Sequence, residues 1–119
     1  MSPSWDATLA RTRQYLKSAD SVLEIGAGTG STALRLHDAV PEYRATDISV
    51  EMIKIAQEKL AESEAQNLNF ATTSIFKEPA EKYDAVLAFN LLHLVDDVGE
   101  TAKAVHRTLK SGGIFISKY

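Results

Sequence analysis

The chain has 119 residues and a formal net charge of −3, with 45% hydrophobic and 24% charged residues. This length suits one domain with an ordinary core, and the acidic balance gives no electrostatic footprint for nucleic acid. Cysteine is absent, which excludes disulfides, thiolate metal sites and cysteine nucleophiles and fits a reducing compartment. The opening MSPSWDATLA lacks the pattern of a signal peptide, and the apolar runs are too short to span a bilayer. We therefore expect a single cytoplasmic domain, residues 1–119, without nucleic-acid or membrane partners.

Apolar periodicity predicts helices and strands that follow one another along most of the chain. In chain order the predicted elements are a helix over 4–17, a strand over 21–25, a helix over 31–40, a strand over 42–46, a helix over 49–65, strands over 68–73 and 83–90, a helix over 97–110 and a strand over 113–119. Ser49 is the expected N-cap of the third helix, and Gly112 and Gly113 are expected to stop the last one.

Strands joined through helices pair in parallel with right-handed crossovers. The sequence therefore predicts an α/β fold with a doubly wound, Rossmann-like parallel sheet of about five strands and helices on both faces. In such a sheet, ligands bind beyond the carboxyl ends of the strands, where the strand order reverses. The turn after the first strand is expected at that place.

That turn belongs to the segment VLEIGAGTG, residues 22–30, in which Gly26, Gly28 and Gly30 follow a buried-strand pattern. Glycines permit a close approach to the backbone, and the start of the next helix offers free N–H groups to a phosphate or a carboxylate. Asp47, at the end of the second strand, lies 21 residues after Gly26. An acid at this spacing reaches the two hydroxyls of a ribose, which predicts an adenosine-like ligand.

Two ligand classes compete for such a turn. A nicotinamide dinucleotide calls for G-x-G-x-x-G, but counted from Gly26 the third glycine position holds Ser31, and the alternative GTGSTA begins two residues late. The pattern E-x-G-x-G-x-G is met in full by Glu24 and the three glycines.

With this pattern the sequence resembles the class I S-adenosylmethionine-dependent methyltransferases. The resemblance runs from about Val22 to Ser117. It is carried by four segments in the family's order: VLEIGAGTG, ATDIS with EMIKIAQEKL, YDAVLAFNLLHL, and LKSGGIFIS. It implies the strand order 3-2-1-4-5.

The resemblance also implies roles for individual residues around S-adenosylmethionine and its product S-adenosylhomocysteine. The cofactor's amino-acid end would lie on the glycine turn with an acid near its amino group, its ribose on a second acid, and its adenine between apolar side chains. Those cofactor-binding residues are Glu24, Gly26, Ala27, Gly28, Gly30, Asp47, Ile48, Met52, Ser74 and Asn90. Ser74 stands where the family usually has an acid. His93, in the loop that meets the substrate, is the candidate general base.

The leading hypothesis is methyl transfer to a small-molecule acceptor, with no metal site because the three histidines lie far apart in the sequence. The alternatives are a cofactor-binding module without a complete catalytic site, a nicotinamide oxidoreductase, and a structural interaction domain, which leaves the glycines unexplained. Family members usually continue past the fifth strand with a helix and a hairpin, whereas this sequence ends at Tyr119. We therefore expect a carboxyl-terminally short domain, either a fragment or a minimal form with a partner. Both alternatives leave the edge of the fifth strand open, and we expect a homodimer through this edge.

Overall fold

The structure is a computed structural model that describes residues 3–89 and 98–118. Its helices and strands follow the predicted order closely. They are α1 (Pro3–Tyr15), β1 (Ser21–Ile25), α2 (Ser31–Leu36), a 3₁₀ turn (His37–Ala39), β2 (Glu42–Asp47), α3 (Val50–Ala61), β3 (Leu68–Thr72), a second 3₁₀ turn (Ile75–Lys77), β4 (Tyr83–Ala88), α4 (Val98–Thr108) and β5 (Leu109–Ser117). Within the described ranges, no helix combines the length and the apolar character needed to cross a bilayer.

The five strands form one parallel sheet in the order β3-β2-β1-β4-β5, as expected. β1 lies in the centre, with β2 on one side and β4 on the other. The chain therefore moves outward in opposite directions from β1, and the strand order reverses there. This reversal puts the glycine turn at the position where doubly wound sheets bind ligands.

Helices cover both faces of the sheet, which explains why β1 and β4 read as nearly continuous apolar runs. Side chains of β1 alternate between two core clusters, with Val22 on the face covered by α1, α2 and α3, and Leu23 on the face covered by α4. The helix α3 begins where predicted, because Ser49 Oγ accepts a hydrogen bond from the Met52 amide at 3.2 Å. The predicted fold class is confirmed.

The expectation that Gly112 and Gly113 stop the last helix is wrong. The helix ends at Thr108 and both glycines lie within β5, in an irregular segment where Tyr83 pairs with Leu109 but Ala85 pairs with Ile114. Amide groups of 81 and 82 donate to the carbonyls of 107 and 108, at 2.9 Å each. Because these hydrogen bonds already satisfy the last carbonyls of the helix, it needs no glycine cap.

Candidate functional site

The glycine turn between β1 and α2 holds Gly26, Gly28 and Gly30 at φ of 68°, 59° and 85°. A Cβ added at Gly28 would meet no atom within 4 Å, so this backbone faces open space. A Cβ at Gly30 would lie 2.6 Å from Cζ of Phe70. Gly28 thus leaves room for a ligand, whereas Gly30 allows the turn to pack on the sheet.

Asp47, at the carboxyl end of β2, is held by two backbone amides. Its Oδ2 accepts from the Gly28 amide at 2.8 Å, and its Oδ1 accepts from the Ser49 amide at 2.9 Å. A carboxylate oxygen has a second acceptor position, so each of the two oxygens can still accept one hydrogen bond. The carboxylate is fixed in orientation and keeps capacity for two donors.

A cavity of about 190 Å³ opens beside this carboxylate, beyond the ends of β1, β2 and β3. Ile48 and Phe76, which are 77% and 58% exposed, are its most exposed apolar side chains. The residues that line it are Ile25, Gly26, Thr46, Asp47, Ile48, Thr73, Ser74, Ile75, Phe76 and Thr101. Its lining combines apolar side chains, which suit a base, with a carboxylate, which suits a ribose.

The cavity brings together four of the predicted residues: Gly26, Asp47, Ile48 and Ser74. Sequence reasoning missed Phe76 and most of the loop after β3. The available signal was the position of that loop, since the carboxyl ends of neighbouring parallel strands meet at one edge of the sheet. Thr101 comes from α4, and no local pattern indicates it.

Other predicted residues lie elsewhere. Met52 is 43% exposed on α3 and does not line the cavity, and Ala27 is buried in the core with its amide bonded to the Thr46 carbonyl at 2.9 Å. Asn90 and His93 fall outside the described residues.

Glu24 is the one carboxyl group buried inside β1, and only 2% of it is exposed. The pKa of Glu24 is raised from 4.5 to about 7. Burial is the largest cause and raises the pKa, the hydrogen bond from the Tyr43 hydroxyl lowers it, and the nearby charge of Asp47 raises it. A carboxyl group with this pKa is partly protonated at neutral pH, and a cation that approaches it favours the charged form.

Comparison with known proteins identifies the family of the chain. Residues 23–115 match the family described as methyltransferase domain. The chain is 30% identical over 117 residues to the ribosomal protein L11 methyltransferase of Staphylococcus carnosus, an alignment that covers 97% of this chain and 36% of that protein. It is 35% identical over 124 residues to the hybrid PKS-NRPS synthetase mpsA of Macrophomina phaseolina, covering 96% of this chain and 3% of the synthetase.

Solved structures show the same fold. The YcgJ protein of Bacillus subtilis superposes with a TM-score of 0.86 at 27% identity, over 93% of this chain and 50% of that one. A Haemonchus contortus phosphoethanolamine N-methyltransferase 2, in complex with phosphomonomethylethanolamine and S-adenosylhomocysteine, superposes with a TM-score of 0.83 at 21% identity, over 94% of this chain and 28% of that one. This chain thus spans about a third of the L11 methyltransferase and half of YcgJ. By its family match and its fold, the chain belongs to the methyltransferase-domain family and is a class I S-adenosylmethionine-dependent methyltransferase domain.

Proposed function

We propose that this chain binds S-adenosylmethionine in the cavity beside Asp47 and transfers its methyl group to a small-molecule acceptor. The observation that carries the proposal is the Asp47 carboxylate, which the Gly28 and Ser49 amides hold and which keeps two acceptor positions that no other described residue uses. A ribose presents two neighbouring hydroxyl donors, and hydrogen bonds to an ionised acceptor are among the strong ones.

The rest of the cavity matches the other parts of an adenosine. Ile48 and Phe76 supply apolar surface for the two sides of a flat base, and the Ser74 hydroxyl can bond an edge of that base. Gly28 lets the remainder of the ligand approach the backbone, since a Cβ there would extend into open space. Glu24 supplies a buried carboxyl group that responds to a cationic ligand by losing its proton.

When bound, the cofactor supplies a methyl group that its sulfonium already activates, so the protein's task is to position the acceptor and exclude water. We propose that Asn90 faces the cofactor and that His93 acts as general base where the acceptor must lose a proton. Both assignments come from the family resemblance.

We propose a small molecule as the acceptor because the net charge of −3 offers no attraction to nucleic acid. A protein acceptor is the main competing outcome, since one relative is named for ribosomal protein L11. A methyl-transfer assay on this chain with both acceptor classes distinguishes the two. A chain that binds the cofactor but methylates neither class would be the cofactor-binding module.

The first experiment is a calorimetric titration of S-adenosylhomocysteine into the wild type and into Asp47→Ala, with NAD as a second ligand. We expect one-to-one binding that weakens by about 2 kcal/mol or more in the variant, as for a lost charged hydrogen bond. The control is Asp38→Asn, which removes a carboxylate that pairs with Arg13 on the surface. Binding of NAD in preference to S-adenosylhomocysteine would contradict the proposal, as would equal affinity in Asp47→Ala.

We also propose that two copies associate through β5. The support is that, in the part of the chain that the structure describes, β5 pairs with β4 alone and forms an edge of the sheet, and that Phe115 on this strand is 39% exposed. Analytical ultracentrifugation at micromolar concentration should give the mass of a dimer for the wild type and of a monomer for Phe115→Lys. A monomeric wild type would refute this proposal.

A further inference from the structure

A second, larger cavity lies between α1 and β5, and it shares no lining residue with the cavity beside Asp47. It has a volume of about 550 Å³, and its lining consists of Ser4, Ala7, Thr8, Arg11, Thr12, Tyr15, Phe89, Ile116, Ser117 and Lys118. We call it the α1–β5 groove. The strand order is β3-β2-β1-β4-β5. A cofactor whose adenosine lies at the ends of β2 and β3 and whose other end lies on the turn after β1 would therefore extend toward β4 and β5.

The groove reaches the end of β4, the strand next to β1, whose following turn belongs to the proposed cofactor site. Phe89 follows β4 directly and lines the groove, and the ring of Trp5 contacts it edge-on with a centroid separation of 5.4 Å. The groove is therefore placed to hold a molecule that meets the cofactor at this end of the sheet.

All charged side chains that line the groove are cationic. They are Arg11 and Lys118, and within the described ranges neither pairs with a carboxylate. By contrast, Arg13, Arg35 and Arg44 each pair with an acidic residue. In a chain of net charge −3, two cations that have no acidic partner among residues 3–89 and 98–118 give this groove a locally positive character.

The Lys118 ammonium is held in position by its neighbours. Its Nζ donates to the Thr8 hydroxyl at 3.0 Å and lies 5.4 Å from the centre of the Trp5 ring. An ammonium has three donors, so two remain for another partner. Hydroxyl groups of Thr12, Tyr15 and Ser117 add polar character to the same groove.

We infer that the α1–β5 groove binds an anionic group of the methyl acceptor, a carboxylate or a phosphate, and that Lys118 and Arg11 determine this specificity. The inference rests on the proposed function, because it takes the groove as the acceptor side of the cofactor site. It narrows the acceptor to acidic small molecules and assigns the recognition of their charge to two named side chains. The competing interpretation is that both cations are solvated surface groups.

The test uses Trp5, the only tryptophan of the chain, as a reporter beside the groove, because its ring contacts Phe89 and Lys118, which line it. Its fluorescence is followed while benzoate, phenyl phosphate or the neutral benzamide is added to protein saturated with S-adenosylhomocysteine. We expect the two anions to bind about tenfold more tightly than benzamide, as one charge-assisted hydrogen bond allows. A preference for benzoate or for phenyl phosphate identifies the carboxylate or the phosphate as the recognised group.

Two variants and one control locate the effect. Lys118→Gln and Arg11→Gln should each reduce the preference for anions, and the double variant should abolish it. Lys54→Gln, which removes one positive charge from the exposed side of α3, should keep it. Equal binding of benzoate, phenyl phosphate and benzamide would overturn the inference, as would a preference that survives the double variant.

A parallel titration of S-adenosylhomocysteine separates this inference from the proposed function. If S-adenosylhomocysteine binds and the anions show no preference, the groove inference fails and the proposed function stands. If S-adenosylhomocysteine does not bind, the proposed function fails, and the assignment of the groove as an acceptor site falls with it even if anions bind there.

Discussion

The hydroxyl of Tyr43 donates a 2.7 Å hydrogen bond to Oε1 of Glu24, joining β2 to β1 inside the sheet. Both side chains are buried, and burial is the main reason why the pKa of Glu24 rises to about 7 and that of Tyr43 rises well above its usual range. The pair forms a polar contact in an apolar core, close behind the proposed cofactor site. Burial makes the charged form of Glu24 unfavourable, so this carboxyl group lowers the stability of the fold at neutral pH. A cationic ligand that binds next to it would favour the charged form and would explain why an acid occupies this position.

Glu24→Gln should change how stability depends on pH. The pKa of Glu24 rises from 4.5 to about 7 on folding, so the folded state holds its proton more tightly than the unfolded state. Stability in the wild type therefore falls as the pH rises from about 4.5 through 7, by roughly 3 kcal/mol for a shift of this size. The variant keeps a side-chain carbonyl that can accept the hydrogen bond from Tyr43, and it has no carboxyl group that loses stability as the pH rises. Without cofactor, Glu24→Gln should therefore be more stable than the wild type at pH 8.

Urea unfolding at pH 5 and pH 8 measures the difference. The expected result is a smaller change in the free energy of unfolding between these two pH values for Glu24→Gln than for the wild type. Parallel pH profiles would show that Glu24 does not titrate in this range. The same variant should bind S-adenosylmethionine more weakly, which a calorimetric titration at pH 8 can record.

Tyr43→Phe tests the other side of the pair. The tyrosine hydrogen bond lowers the pKa of Glu24, so its removal should raise that pKa further. The variant should also lose about 1 to 2 kcal/mol of stability, the usual cost of a missing partner for a buried polar group. An NMR titration of the Glu24 side-chain carboxyl gives the pKa directly, and an unchanged or lower value would contradict the assignment.

Gly28→Ala and Gly30→Ala form a matched pair within one turn. Both replace a glycine at positive φ, so both should lose roughly 1 kcal/mol through backbone strain. At Gly30 the new methyl group also meets Phe70 at 2.6 Å and Ala56 at 3.1 Å, which adds overpacking of roughly 1 to 3 kcal/mol. At Gly28 the methyl group enters open space and occupies the proposed approach of the ligand.

We therefore expect Gly30→Ala to unfold at a clearly lower urea concentration than Gly28→Ala. The order should reverse for ligand affinity, with Gly28→Ala the weaker binder of S-adenosylhomocysteine among the molecules that remain folded. If both variants lose affinity in proportion to their stability, the turn has no separate binding role at Gly28.

Glu78→Gln probes a polar cluster at the amino ends of the strands, away from the proposed site. Arg44 bonds both oxygens of Glu78, at 2.9 Å and 3.2 Å, and the Tyr83 hydroxyl donates to Oε1. Burial raises the pKa of Glu78, but the hydrogen bonds from Arg44 and Tyr83 outweigh it and hold the pKa below its usual value. The charged form thus stabilises the fold above the ordinary pKa of a glutamate, and that contribution is lost as the pH falls through the lower, folded-state value.

The free energy of unfolding of the variant should be lower by about 2 kcal/mol at pH 7. The glutamine carries no charge, so Arg44 loses the negative partner that its guanidinium contacts. The deficit should shrink in acid, where the wild type also becomes protonated. Affinity for S-adenosylhomocysteine should match that of the wild type. A large loss of affinity in folded Glu78→Gln would show that the two ends of the sheet are coupled.

Sequence patterns were sufficient for the type and order of the helices and strands, and the family resemblance supplied the order of the strands in the sheet. Apolar runs identified β1 and β4, and helical periodicity identified α3. Both patterns extend over only a few residues, because they reflect whether one or two faces of the element are buried. The glycine spacing and the position of Asp47 predict a ligand at one edge of the sheet, and the structure brings Gly26 and Asp47 together in the lining of one cavity there. The end of α4 was missed because its last carbonyls are satisfied by residues 81 and 82, a contact between distant parts of the chain.

The sequence by itself therefore determined the fold class, the strand order expected from the family and the edge of the sheet to which the proposed site is assigned. Only the tertiary structure decided which glycine faces open space, which carboxyl group is buried, and where the cations collect. Gly28 and Gly30 are alike in sequence, and they differ because Phe70 of β3 packs against one of them. Glu24 meets Tyr43, and Thr8 meets Lys118, across 19 and 110 residues. Contacts at such separations depend on how the strands are ordered and how the helices pack on them, and no local pattern of residues records that.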